Sequence, residues 1–214
     1  MAINTSTIGV DHEDGSWIFD DHRTIENSTK GNETMTDQTI QELLINAVKT
    51  STADVFSTML GIEAEVGEVF VSQGSPRPTE GVVSLIGLAG PWMGTGSISC
   101  NPKMACRIAG ALMMGEYAAV DEEVLDAVAE VTNMVIGNVK TVLEERVGPM
   151  GLSIPTVIFG RNFSTKSAGS SNWTIVPFSC GEDRILVQVC LVQNSEGSTP
   201  SRIGFTNPHM AAVR

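Results

Sequence analysis

The chain reads as one supersecondary unit written twice. From Asp37, the segment DQTIQELLINAVKTSTADVFSTMLG carries apolar residues at Ile40, Leu44, Val48, Val55 and Met59, drifting round one broad side of a helix, and Gly61 ends it. Strand-like runs follow at Glu63–Val71, Gly81–Leu88 and Gly94–Cys100, the last two joined across a Gly90–Pro91 turn. A helical pattern returns from Asp121 to about Val147 and is followed by runs at Ile154–Gly160, Trp173–Cys180 and Arg184–Val192, with a tight turn at Gly181–Asp183. Laying NAV at 46–48 on DAV at 126–128 registers the two helices at an offset of 80 residues. Ile45 then falls on Leu125, Val48 on Val128 and Val55 on Val135. Between the copies, Asn101 and Pro102 form a cap and first turn for a further helix running to Gly115, whose Met104, Ile108, Leu112 and Met113 read as core.

One feature does not repeat. On the second helix Asp126, Glu130 and Asn133 stand at i, i+4 and i+7, so they line one face; Gly137 and Lys140 continue the line. Gly137 lets another surface come close to the backbone. Val128, Val131, Val135, Val139 and Val142 form the opposite, core-seeking face. Asp121 caps the helix, Glu122 and Glu123 suit the positive end of its dipole, and Gly148 follows its stop. At the positions of Asp126, Glu130 and Asn133 the first helix has Asn46, Thr50 and Ala53. Surface positions take polar residues freely, so the stripe alone reads first as solvated helix. Its presence on only one copy suggests an optional addition to the scaffold and not a folding requirement.

Composition narrows the partners. A net charge of −12 disfavours nucleic acid and anionic membranes, which recruit clustered Lys and Arg. Cys100, Cys106, Cys180 and Cys190 form no C-x-x-C pair and have no His nearby in sequence, so neither a metal site nor a disulfide framework is expected and a cytoplasmic location is the simpler reading. No basic stretch precedes an apolar run at the N-terminus, and no segment is apolar over about eighteen residues. Residues 1–36 are polar and hold Asp11, Glu13, Asp14, Asp20, Asp21, Glu26 and Glu33 against Arg23 and Lys30; they read as an acidic tail with an apolar island at Trp17, Ile18 and Phe19. Residues 37–193 read as the domain and 194–214 as a second tail.

P-loop, H-E-x-x-H and G-x-S-x-G signatures are missing, Gly94-Thr95-Gly96 belongs to a strand or hairpin, and His12, His22 and His209 fall in the tails. What remains is a carboxylate and a carboxamide one turn apart, with no nucleophile beside them. Such a pair suits a reaction that needs positioning more than proton transfer. Acyl phosphate hydrolysis is one: its transition state is loose, and the carboxylate leaves without a proton.

Asp126, Glu130 and Asn133, followed by Pro155 twenty-two positions after the Asn, resemble the signature of the CheC, CheX and FliY phosphatases of bacterial chemotaxis. The resemblance runs from about Ile45 to Val192 and is strongest to CheX-like members, in DAVAEVTNMVIGNVKTVL and LSIPTVIFG. It implies a two-layer α/β (α+β) fold with a largely antiparallel sheet, long helices and an internal pseudo-twofold. CheC-like members carry the motif on both long helices, CheX-like members on one, as here. The implied substrate is the phospho-aspartate of a CheY-like response regulator, with Mg²⁺ supplied in the regulator's site and no metal held by this chain. By the same resemblance Glu130 pairs with the regulator's Lys and Asn133 orients the attacking water. Asp126, Gly137 and Lys140 are expected to face the partner, Pro155 to open a strand, and the chain to form a homodimer. The alternative is a non-catalytic receiver-binding or flagellar-switch-type scaffold that uses the same helix.

Overall fold

In a computed structural model, residues 9–10, 17–18, 35–73, 80–161 and 172–194 are described. Two 26-residue helices dominate, α1 (Met35–Leu60) and α3 (Glu122–Val147), with the shorter α2 (Pro102–Met113) between them in sequence. An eight-stranded sheet is built from β3 (Glu65–Val66), β4 (Phe70–Gln73), β5 (Glu80–Ala89), β6 (Trp92–Cys100), β7 (Gly151–Leu152), β8 (Thr156–Arg161), β9 (Asn172–Cys180) and β10 (Asp183–Gln193). Near the N-terminus, β1 (Gly9–Val10) and β2 (Trp17–Ile18) pair with each other; Phe19, the rest of residues 1–34, and residues 74–79, 162–171 and 195–214, expected as loops and tails, lie outside the described residues.

Every pairing in the large sheet is antiparallel, in the order β3/β4, β9, β10, β6, β5, β7/β8. Exchanging β3 with β7, β4 with β8, β5 with β9 and β6 with β10 returns the same order reversed. The pseudo-twofold axis therefore passes between β6 and β10. The helices obey it too. Buried Leu44, Ala47, Val48, Ser51, Thr52, Val55 and Phe56 of α1 match buried Val124, Ala127, Val128, Val131, Thr132, Val135 and Ile136 of α3 at the offset of 80. These faces pack on one side of the sheet, against Val82, Ile86, Ile98, Val176, Phe178 and Val187, in one continuous core. The other side of the sheet carries a smaller cluster of Trp173, Ile175, Leu186 and Cys190.

Local chemistry sets the helix ends. Asp121 Oδ1 accepts the Val124 N–H at 3.0 Å, Glu122 and Glu123 occupy the first turn, and Gly148 leaves with φ of 88°. Asn101 Oδ1 accepts the Met104 N–H at 2.7 Å ahead of Pro102, and Met114 closes α2 in the left-handed region. Helix α1 starts two residues before the expected Asp37.

Some expectations need correction. Val142, Met59 and Met113 are exposed, because at each of these helix ends a neighbour or the layer edge takes the core seat: Leu143 and Leu60 are buried instead. The runs Glu63–Val71 and Ile154–Gly160 are not continuous strands. Between the pairs Leu88–Leu152 and Leu85–Thr156, residues 153–155 face only Ile86 and Gly87; between Val66–Phe178 and Phe70–Ile175, residues 67–69 face only Val176 and Pro177. Each edge carries one extra residue, which breaks the ladder as a bulge does. Pro155 consequently sits in the bulge before β8 and does not open the strand.

Candidate active site at the α3 face and the β7–β8 bulge

The cap and apolar periodicity of α3 fix its rotation, so Asp126, Glu130 and Asn133 point away from the core and are exposed. The β7–β8 bulge runs beside them. Asp126, Glu130 and Asn133 on one wall and Ser153, Ile154 and Pro155 on the other enclose a shallow cleft of ≈ 370 Å³ floored by Ala129. The bulge is tied down by backbone and side chain together. Ser153 N–H donates to Gly87 O at 2.9 Å, Gly87 N–H donates to Ser153 Oγ at 2.8 Å, and that hydroxyl donates onward to Ile154 O at 2.9 Å.

Four residues singled out from sequence thus meet: Asp126, Glu130, Asn133 and Pro155. Gly137 and Lys140 lie further along α3, outside the cleft. The surface that closes on Gly137 is the chain's own Leu152, whose Cδ1 would stand 3.7 Å from a Cβ at 137. Lys140 Nζ donates to Glu144 Oε2 at 2.6 Å, and Glu144 Oε1 accepts the Met150 N–H at 2.7 Å, so this pair ties the last turns of α3 to the chain leading into β7. Those two bonds, the lysine's first and the backbone amide's second, hold the Glu144 carboxyl below its ordinary value. Ser153 and Ile154 are not marked as site residues by the sequence, since nothing local signals a bulge.

Chemically the cleft offers carboxylates at Asp126 and Glu130 and, at Asn133, a carboxamide with two donors and an acceptor. Among the described residues neither carboxylate is ion-paired, and no group of three or more His, Cys, Asp or Glu is assembled to hold a metal. The site can accept a cation from a partner and can hold a water molecule through the amide, while leaving bond-making atoms to what docks on it.

A family model described as "Chemotaxis phosphatase CheX" matches residues 82–179, from β5 through β9. The CheY-P phosphatase CheX of Thermotoga maritima is 31% identical over 127 residues, which are 59% of this chain and 81% of that protein. The chain belongs to the CheX family. Chemotaxis protein CheX from Vibrio vulnificus superposes with a TM-score of 0.63 at 25% identity, covering 70% of this chain and 99% of its own. CheX in a CheX–CheY–BeF3–Mg²⁺ complex from Borrelia burgdorferi gives 0.60 at 28% identity, with 72% and 98% covered. The stretch matched by the CheX model includes all of α3 and the β7–β8 bulge, and so both walls of the cleft.

Proposed function

We propose that the chain hydrolyses the phospho-aspartate of a CheY-like response regulator. The observation that carries this is the exposed Glu130–Asn133 pair, one turn apart on α3 at the cleft, where the equivalent positions of α1 hold Thr50 and Ala53. The curated relative is named a CheY-P phosphatase, and the Borrelia complex holds CheY with BeF3 and Mg²⁺, which supports placing the metal with the regulator.

In this reading α3 lies across the regulator's phosphorylation site. Glu130 pairs with a Lys there and sets the register, Asp126 extends the acidic contact, and Asn133 reaches the acyl phosphate. The Asn133 carboxamide accepts from the water with its oxygen and donates to it or to a phosphoryl oxygen with its nitrogen, holding the water in line with phosphorus. The water's oxygen bonds to phosphorus as the P–O bond to the aspartate breaks, the carboxylate departs without a proton, and the water's two protons leave with the product as dihydrogen phosphate. Mg²⁺ in the regulator offsets charge on the phosphoryl oxygens. Pro155 stiffens the opposite wall. Gly137 and Lys140 serve the seat of the helix and stand outside the catalytic contact. A cytoplasmic homodimer is the assembly proposed.

The test mixes the chain with a phosphorylated CheY-type regulator and Mg²⁺ and follows phosphate release. Asn133→Ala is expected to lower kcat by at least about 100-fold, the scale of a lost positioning contact, while binding persists. Binding without turnover by the unmodified chain would leave the scaffold reading in its place.

A further inference from the structure

The two halves of the fold carry the same bulge with different residues. By strand register Gly67, Glu68 and Val69 in the first half occupy the places of Ser153, Ile154 and Pro155 in the second, and the exposures agree: outer, outer, partly buried. The first backbone bond agrees as well. Gly67 N–H donates to Pro177 O at 2.8 Å, as Ser153 N–H does to Gly87 O at 2.9 Å.

The remaining bonds differ. Gly67 has no hydroxyl and Pro177 has no N–H, so the first half cannot form the second bond of the clip. At the bulge tip the first half has Glu68, an ordinary solvated residue; the second has Ile154, 87% exposed. A single exposed aliphatic residue is unremarkable by itself. This one stands on the half that bears Glu130 and Asn133, is lodged on a bulge with an additional clip, and forms the cleft wall facing them. Phe159, on the helix-facing side of the same edge strand, is also half exposed. The rim therefore sets an apolar knob beside two carboxylates, Asp126 and Glu130, that form no ion pair among the described residues.

We propose that Ile154 is a docking anchor: the clipped bulge presents it to an apolar recess of the phosphorylated receiver domain, beside the basic group that meets Glu130. The inference rests on the proposed partner, and it assigns to the β7–β8 bulge a share of the affinity beside that of α3. A solvent-exposed side chain contributes little to folding, so its contribution falls on binding. Ser153 is a positioning residue, acting through Ile154.

The experiment measures KM and kcat for phosphate release, and binding to the same regulator loaded with beryllofluoride and Mg²⁺, for the full chain and its variants. Ile154→Ala and Ile154→Glu, the latter copying the other half, are expected to raise KM and the dissociation constant about tenfold or more, as loss of a buried aliphatic anchor does, with kcat changed far less and melting temperature unmoved. Asn133→Ala is expected to do the reverse, losing kcat and keeping binding. Ser153→Ala should raise KM in the same direction, with Ser153→Thr restoring it. If Ile154→Ala binds and turns over within twofold of the unmodified chain while Asn133→Ala is inactive, the anchor is overturned and the catalytic reading stands. If the unmodified chain binds without turnover and Ile154→Ala weakens that binding, the anchor stands and the catalytic reading falls. Failure of the unmodified chain to bind overturns both.

Discussion

Ile136 of α3 rests directly on the bare backbone of Gly96 in β6: a Cβ at 96 would stand 2.8 Å from Ile136 Cδ1 and Cγ2 and 2.9 Å from Cγ1. This contact sets how closely the helix that carries the cleft lies on the sheet. Gly96→Ala must displace either the branched Ile136 or the helix, and overpacking of this kind costs roughly 1–3 kcal/mol. In urea unfolding, the Gly96→Ala, Ile136→Ala pair should be more stable than the two single effects summed, because the smaller side chain relieves the clash. Strict additivity would show that the contact carries no strain.

Asp121 holds the start of α3 through its bond to the Val124 N–H. Asp121→Ala should lower stability by about 1 kcal/mol, and Asp121→Asn should retain most of it, since either side-chain oxygen caps an amide. The denaturant midpoints of the three chains decide the matter. An equal loss for Ala and Asn would assign the effect to charge at the helix terminus.

Glu144 makes part of the stability depend on acid. Its carboxyl is held below the ordinary 4.5 by the Lys140 hydrogen bond first and the Met150 amide second. A carboxyl with a depressed folded value contributes stability that is present above its unfolded value and lost as pH falls through the folded one. Glu144→Gln should therefore be less stable than the unmodified chain near neutrality, with the gap closing as pH drops below the usual carboxylate range. Urea midpoints between pH 7 and pH 3 follow it, and a gap independent of pH would remove Glu144 from the account.

Burial first, and neighbouring Cys180 and Asp183 next, push the Cys100 thiol up to about 12; burial pushes Cys180 up to about 11 against the pull of Arg107. Only thiolates alkylate readily. Iodoacetamide at pH 8 should leave Cys100 and Cys180 unmodified in the folded chain and label both in urea, with the partly exposed Cys106 modified first. Peptide mass spectrometry reads the order, and early labelling of Cys100 would contradict its burial.

Much of the scaffold is legible in the chain. The caps at Asn101 and Asp121 act within three residues of themselves, and the offset of 80 survives as seven matched burial positions on α1 and α3. The Asp126, Glu130 and Asn133 stripe needs only the helical repeat to be placed on one face. Helix ends read less well: Val142 obeys the spacing of the apolar stripe yet is exposed, because the adjacent Leu143 takes the core position.

The far wall of the cleft was illegible for a different reason. Ile154 and Pro155 read as the start of a strand in sequence, and with Ser153 they become a bulge only because β5 supplies two residues where the other edge supplies three. That count depends on pairing across more than sixty residues of chain, between Gly87 and Ser153. Helix phase and capping are local interactions, and the order of residues specifies them directly. The register of an edge strand arises only when distant segments meet. It was tertiary structure that placed Ile154 and Pro155 opposite Glu130 and Asn133, and left Gly137 and Lys140 to Leu152 and Glu144.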